Sequence, residues 1–297
     1  MWSLDTLIRY PLLSQMSSDS IVFWEHAILV VFFLPFLLYQ NSFRALWHKK
    51  NILPFLVIGV MGSALSTVAF TKAFTLINPS LVILLQKLQP FVVIFLSRVL
   101  LKEKFEKNYF FYMALSLVGA FCLSWPDMAG YFIDKTIDKT VEARSSNIGG
   151  YLLALVAVVG WGSSTVFGKQ LSNAHLKEST IMGGRFLYGF LGLGIYLILG
   201  VQNPMQGFTS VGNAYAVEIF MKIFAMVLIS GLLGMWFYYR GLKKVSAHVG
   251  ALAELFFPFF AVTLNWIFLN QKLQLVQILG AVILVLSVVL LNSKRTV

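Results

Sequence analysis

The sequence predicts an all-α integral membrane protein of ten transmembrane helices, laid out as two inverted five-helix repeats with a truncated first helix. Three observations lead there. Hydrophobic residues make up 58% of the 297 residues and charged residues only 12%, whereas a soluble domain carries about 25% charged residues. The solvent for most of this surface is therefore lipid. Apolar stretches recur at about the 20 residues a helix needs to cross a bilayer, not as the alternating segments of about 10 residues that build a barrel. Finally, the two halves of the chain align with one another.

Taken in order, residues 1–13 form a short first segment. Apolar runs then predict helices over 20–39, 53–75, 80–101 and 109–125, which complete the first repeat (1–125). Residues 126–148, with Asp127, Asp134, Asp138 and Glu142, read as a polar linker. The second repeat (149–292) holds helices over 149–169, 181–200, 219–241, 247–269 and 274–292, and 293–297 is a tail. The start, Met1 to Asp5, lacks the basic region and apolar core of a signal peptide.

Lys and Arg set the orientation. One set of alternate loops, with the C-terminus, holds twelve: Arg44, Lys49, Lys50, Lys102, Lys104, Lys107, Lys169, Lys177, Lys243, Lys244, Lys294 and Arg295. The other set holds Lys135, Lys139, Arg144 and Lys272. The first set is predicted to be cytoplasmic and the linker external. A formal charge of +11 is thereby explained by loops, not by the one-faced basic patch of a nucleic-acid binder. The single cysteine, Cys122, forms no internal disulfide, and no Cys/His cluster offers a metal site.

The internal repeat rests on named positions. Trp2-Ser3 falls over Trp161-Gly162 and His26 over Arg185. With a longer loop at 201–218, Lys72 falls over Arg240, Gln86 over Glu254, Pro90 over Pro258, and Leu101-Lys102-Glu103-Lys104 over Leu269-Asn270-Gln271-Lys272. Five helices per half turn the second half upside down, as in many secondary transporters. Met1 falls over Gly160 in mid-helix, so about a dozen residues of helix 1 are missing by comparison. A half-helix in hydrocarbon would leave backbone groups unpaired, and an upstream piece is the expectation.

Gly160-Trp161-Gly162-Ser163-Ser164 with Lys169, Gly184-Arg185-Phe186, Ala69 to Phe74, Trp236 to Leu242, and Pro90 through Lys104 together resemble the EamA type of the drug/metabolite transporter superfamily. The resemblance covers nearly the whole chain. It implies that helices 1–4 and 6–9 surround a central cavity while helices 5 and 10 pack at the periphery. It also implies transport of a small metabolite, often efflux of an amino acid. His26 preceded by Glu25, the truncated helix 1, and Gln271 in place of a glutamate depart from the pattern.

Ionisable groups within a membrane are functional candidates by default. Lys72 and Arg240 lie near helix ends and can snorkel. Lys87 lies about 10 Å inside its helix, flanked by Gln86 and Gln89, which share a face. Glu254 sits at similar depth in the other repeat. A carboxylate there is costly to keep ionised unless paired or wetted, which suits proton coupling. Lys87 and Glu254 either line a substrate cavity or lock the halves as a structural pair. Arg185 and His26 lie two turns into their helices, and His26 reads equally as a packing residue. Trp161, Ser163, Ser164, Phe237 and Tyr238 would supply stacking and hydroxyl contacts.

The predicted substrate-binding set is therefore Lys87, Gln86, Gln89, Glu254, Trp161, Ser164, Tyr238, Arg185 and His26, with no catalytic or metal residues and no cofactor. The expected partners are a small-molecule metabolite and membrane lipid, without nucleic acid, and a homodimer stays open. One cationic and one anionic group at cavity depth suit a zwitterion. No phosphate-binding loop of the nucleotide-hydrolase type is present, so ATP does not drive transport directly. The alternatives are a non-transporting scaffold or inactive paralogue, and an intramembrane enzyme, for which no His-Glu-x-x-His or paired-aspartate motif is found.

Overall fold

A computed structural model describes residues 2–39, 42–133, 147–200, 205, 213–269 and 274–293. All regular structure among them is helical. Eight stretches are long and apolar enough to cross a membrane: Ser18–Leu38, Lys49–Leu76, Leu81–Leu100, Tyr109–Pro126, Ile148–Asn173, Glu178–Leu199, Tyr215–Lys244 and Ala247–Leu264. Large apolar side chains stay exposed along them, among them Val31, Phe95, Ile198, Leu199 and Val289. That is the surface of a multi-pass membrane protein, whose outer solvent is hydrocarbon. The predicted linker charges Asp134, Lys135, Asp138, Lys139, Glu142 and Arg144, the repeat positions Gln271 and Lys272, and the tail residues Lys294 and Arg295 lie outside the described residues.

The chain opens with α1 (Trp2–Leu12) and α2 (Ser18–Tyr39). A short α3 (Phe43–Leu46) follows. Next, α4 (Lys49–Leu56) runs through a π-helical segment (Val57–Leu65) into α5 (Ser66–Leu76). Then come α6 (Pro79–Gln86) and α7 (Gln89–Leu100), and the long α8 (Tyr109–Ile133). The second half begins with α9 (Ile148–Asn173) and α10 (Glu178–Leu199). There α11 (Asn213–Met226), a second π segment (Val227–Gly234) and α12 (Met235–Lys244) form one rod. It ends with α13 (Ala247–Glu254), α14 (Phe257–Leu269) and α15 (Leu275–Ser293).

Two helices read from the sequence as single runs are broken. The fourth stops at Gln86 and restarts at Gln89; the ninth stops at Glu254 and restarts at Phe257. Pro90 and Pro258 are each the second residue after the break. Proline has no N–H to donate to the preceding turn and its ring crowds that turn, so each break falls where the proline requires it. In the other direction, α8 continues through Pro126 to Ile133, into residues assigned to the linker. One proline removes one hydrogen bond, and the rest of this apolar helix carries on.

Small residues decide which helices touch. A Cβ on Gly119 would sit 2.8 Å from the Gly280 carbonyl oxygen, and one on Gly280 would sit 2.7 Å from that of Gly119. Only glycine lets α8 and α15 come this close. Ser116 and Ser287 join the same pair through their hydroxyls at 2.6 Å. The first π segment is held between α9 and α10: a Cβ on Gly59 would meet the Tyr188 Cβ at 2.5 Å, and one on Gly62 would collide with Ser164.

The basic loops gather at one end. Thr180 Oγ1 donates to Ser42 Oγ at 2.9 Å, and Lys243 pairs with Glu178 at 3.0 Å. Lys169 Nζ donates to the Leu242 carbonyl at 2.9 Å. Glu103 in the loop after α7 reaches the first residues of α13. Lys72 and Arg240 are both exposed, and Arg240 is stacked over Trp236 at 4.8 Å.

Candidate functional site: a central cavity with two differently paired arginines

Between the helices lies a cavity of about 170 Å³. Its walls come from α1, α2, the two π segments and their flanks, α6, α7, α9, α10, α13 and α14, and none from α8 or α15. Trp2, Phe70, Trp161, Phe186, Tyr238 and Phe257 supply aromatic surface. The ring of Trp2 lies 5.5 Å from Tyr238, and that of Phe70 4.8 Å from Trp161. Both breaks open onto this space, since Gln86, Gln89, Glu254 and Phe257 all line it.

Eight of the nine residues expected at the site line this cavity: Gln86, Gln89, Glu254, Trp161, Ser164, Tyr238, Arg185 and His26. Lys87 does not. It lies in a smaller adjoining cleft that shares Gln86, Gln89 and Glu254 with the cavity and adds Pro90, Ala251 and Leu255, and its ammonium lies 4.8 Å over the Phe257 ring. Among the described residues it forms no direct ion pair with Glu254, although the two share this cleft. Ser163 returns its hydroxyl to the Val159 carbonyl at 2.7 Å, and Phe237 is 55% exposed. Neither lines the cavity.

Glu254 accepts from the Gln89 amide and lies 3.4 Å from Thr165 Oγ1. The Tyr238 hydroxyl is 2.8 Å from the same threonine oxygen. His26 is fixed in one tautomer. Its Nδ1 lies 2.8 Å from the Val22 carbonyl, which can only accept, so Nδ1 carries the proton. In the neutral ring Nε2 then accepts from the Ser63 hydroxyl at 2.9 Å. His26 both lines the cavity and is tied into the packing.

Two arginines face the cavity, and sequence reasoning missed one of them. Arg9 bridges two carboxylates: Nε to Asp5 at 2.8 Å, Nη1 and Nη2 to Glu25 at 3.0 and 2.7 Å. Ser230 in the second π segment donates to Asp5 at 2.7 Å. The Asp5–Arg9 spacing of four residues was the available signal, but it sat in a segment read as a truncated helix. Arg185 has only neutral partners. Its Nη1 donates to Ser164 Oγ at 2.7 Å and to the Tyr239 hydroxyl at 3.1 Å, and Nη2 donates to the Gly62 carbonyl at 3.4 Å.

A profile of the EamA-like transporter family matches residues 1–125 and 148–293. The chain belongs to the EamA-like transporter family. The riboflavin transporter ImpX of Fusobacterium nucleatum is 28% identical over 298 residues, covering 99% of this chain and 94% of the relative. The uncharacterized transporters YyaM and YetK of Bacillus subtilis are 20% and 25% identical, over 92% and 81% of this chain and 83% and 68% of their own lengths. A solved crystal structure, 14% identical, superposes with a TM-score of 0.67 over 96% of this chain and 93% of the other, so the fold is shared. These relationships make this EamA-family chain a transporter.

Proposed function

We propose that this chain is a secondary active transporter that carries a small polar metabolite through the central cavity by alternating access. The observation that carries this reading is the cavity itself, walled by both halves and rich in aromatic, amide, hydroxyl and charged groups at the level where two helices break. Broken helices at mid-depth are where secondary transporters hold their solutes. Counting the shorter helices Trp2–Leu12 and Leu275–Ser293 with the eight spanning stretches gives the ten helices of this reading, the first of them too short to cross unaided. The inverted repeat is supported by the family's match to two separate stretches and by the paired breaks before Pro90 and Pro258. In this reading α8 and α15 are the peripheral fifth and tenth helices, and the end that gathers the basic loops faces the cytoplasm of a cell-membrane protein, with the C-terminus on that side.

The substrate reading is an amino-acid-like zwitterion, with Arg185 in place of Lys87 as the cationic group opposite Glu254. A second reading, a flat ring-bearing solute, is favoured by the six aromatic side chains around the cavity and by the relative named for riboflavin. Glu254 is the proposed proton-coupling group. The test compares intracellular and extracellular metabolite pools in cells with wild type and with Glu254→Gln at matched membrane levels. One metabolite class shifting with wild type supports transport. Glu254→Gln keeping the pH dependence of wild type removes the proton-coupling role, and no shift from an assembled protein favours the scaffold.

A further inference from the structure

Arg9 and Arg185 face one cavity and differ in their counter-charge. Arg9 has two carboxylates, with side chains as buried as its own. Arg185 is 4% exposed, and among the described residues no carboxylate forms an ion pair with it. Its Nε–H is buried without any partner, and its one bond from Nη2 is long at 3.4 Å. Glu254, on the same cavity, is near enough to act on Arg185 through space but makes its direct contacts with Gln89 and Thr165. Buried charges are paired in proteins because removing them from water is costly, and an ionised side chain at membrane depth marks a solute or ion path. The side chain is also held in place: Ser164 and Tyr239 hydroxyls fix Nη1, and Gly62 lets the π segment close on Ser164. A fixed guanidinium fork with unused N–H groups matches the two oxygens of a carboxylate or phosphate.

We infer that Arg185 receives an anionic group of the transported solute, a carboxylate or a phosphate, which supplies the direct ion-pair partner that the protein leaves out. This rests on the transport reading above and names the chemistry of that same cavity. Gln86, whose Oε1 is likewise buried without a partner, offers an acceptor to a donor group elsewhere on the solute.

The experiment uses the full chain in proteoliposomes, loaded with a small-molecule extract of bacterial cells to which three matched pairs are added: N-acetylphenylalanine and its amide, nicotinate and nicotinamide, riboflavin phosphate and riboflavin. Exchange is followed by mass spectrometry for wild type, Arg185→Gln and Arg185→Lys, each checked for thermal unfolding. Anionic solutes should exchange about tenfold faster than their neutral partners, the loss of one charge-assisted contact. That preference should vanish in Arg185→Gln and return in part in Arg185→Lys. Carboxylates alone or phosphate alone responding identifies the group. Neutral partners keeping pace with the anions, or Arg185→Gln slowing both alike, overturns the inference and leaves transport standing. Should Arg185→Gln not fold, an unchanged anion preference in Arg185→Lys overturns it equally. No solute of the extract or pairs exchanging through folded wild type overturns the transport reading, and the inference with it.

Discussion

Ser164 and Thr165, consecutive on α9, divide the cavity's opposite charges between them: Ser164 Oγ accepts from Arg185 at 2.7 Å, while Thr165 Oγ1 lies 3.4 Å from Glu254. One helix thus registers the cationic and the anionic wall against each other. Neighbouring residues on a helix point about 100° apart, which is why a single α9 can serve both. Tyr239 and Tyr238 repeat the division on α12, the first on Arg185 and the second on Thr165.

This division predicts different phenotypes for two neighbouring substitutions. Ser164→Ala removes an acceptor from a charged donor, a bond worth about 1.5–3 kcal/mol, and should weaken solute binding with little change in pH dependence. Thr165→Val should do the reverse, altering the pH profile of transport through Glu254. Transport rates against solute concentration and pH separate them, and identical profiles for the two variants would show that α9 makes no such division.

Arg9, Asp5 and Glu25 predict an asymmetry in stability. Arg9→Met leaves two buried carboxylates without a cation, and breaking a buried pair costs about 3–5 kcal/mol. Glu25→Gln leaves Arg9 balanced by Asp5 alone, and should cost much less. Thermal unfolding in detergent should rank Arg9→Met well below Glu25→Gln. Equal midpoints would mean that the excess negative charge, not the arginine, governs the site.

Gly62 sits where a side chain has no room. A Cβ there collides with Ser164 and comes within 3.2 Å of the Gly160 carbonyl. Overpacking of this kind costs about 1–3 kcal/mol, and it pushes Ser164 off Arg185. Gly62→Ala should therefore lose transport out of proportion to its modest loss of stability, whereas Gly194→Ala, with nothing near its Cβ, should change neither. Transport and thermal midpoint measured together check this.

The fold class was legible because it depends on bulk hydropathy and on the roughly 20-residue length of apolar runs, which lipid imposes directly. The breaks at Gln86 and Glu254 were half legible: Pro90 and Pro258 stand at matching positions of the two halves and cannot donate to the preceding turn, but whether a helix bends or stops there depends on what replaces its hydrogen bonds, which is tertiary. For the site, Gln86, Gln89 and Glu254 could be read from depth and facing. Lys87 could not be placed, because the break beside it is invisible in a continuous-helix register. Arg9 escaped for the opposite reason. It lies in a short segment whose place beside the cavity could be judged only once α1 was packed against α14, α11 and the second π segment and Arg9 met Glu25 of α2.

Glu103 and α13 carry the last prediction. From the loop after α7, the Glu103 carboxylate accepts from the Ala247 amide at 2.8 Å, the His248 amide at 3.4 Å and His248 Nδ1 at 2.5 Å. It caps the exposed amides of a helix in the other half of the chain, while the Tyr109 hydroxyl donates to the His248 carbonyl at 3.0 Å. Partial burial pushes this carboxyl up, but the hydrogen bonds from the His248 ring and the two amides outweigh it and hold it below the usual carboxylate range. A group depressed in the folded state stabilises above its unfolded pKa, and that contribution is lost as pH falls through the folded value. Glu103→Gln should therefore unfold at lower temperature than wild type at neutral pH, by a capping loss of about 1 kcal/mol. The gap should close as the pH drops below the ordinary glutamate value of about 4.3, because wild type loses what the variant never had. Thermal scans of both proteins across that range decide it, and a gap that stays constant with pH would assign the contact to shape and not to charge.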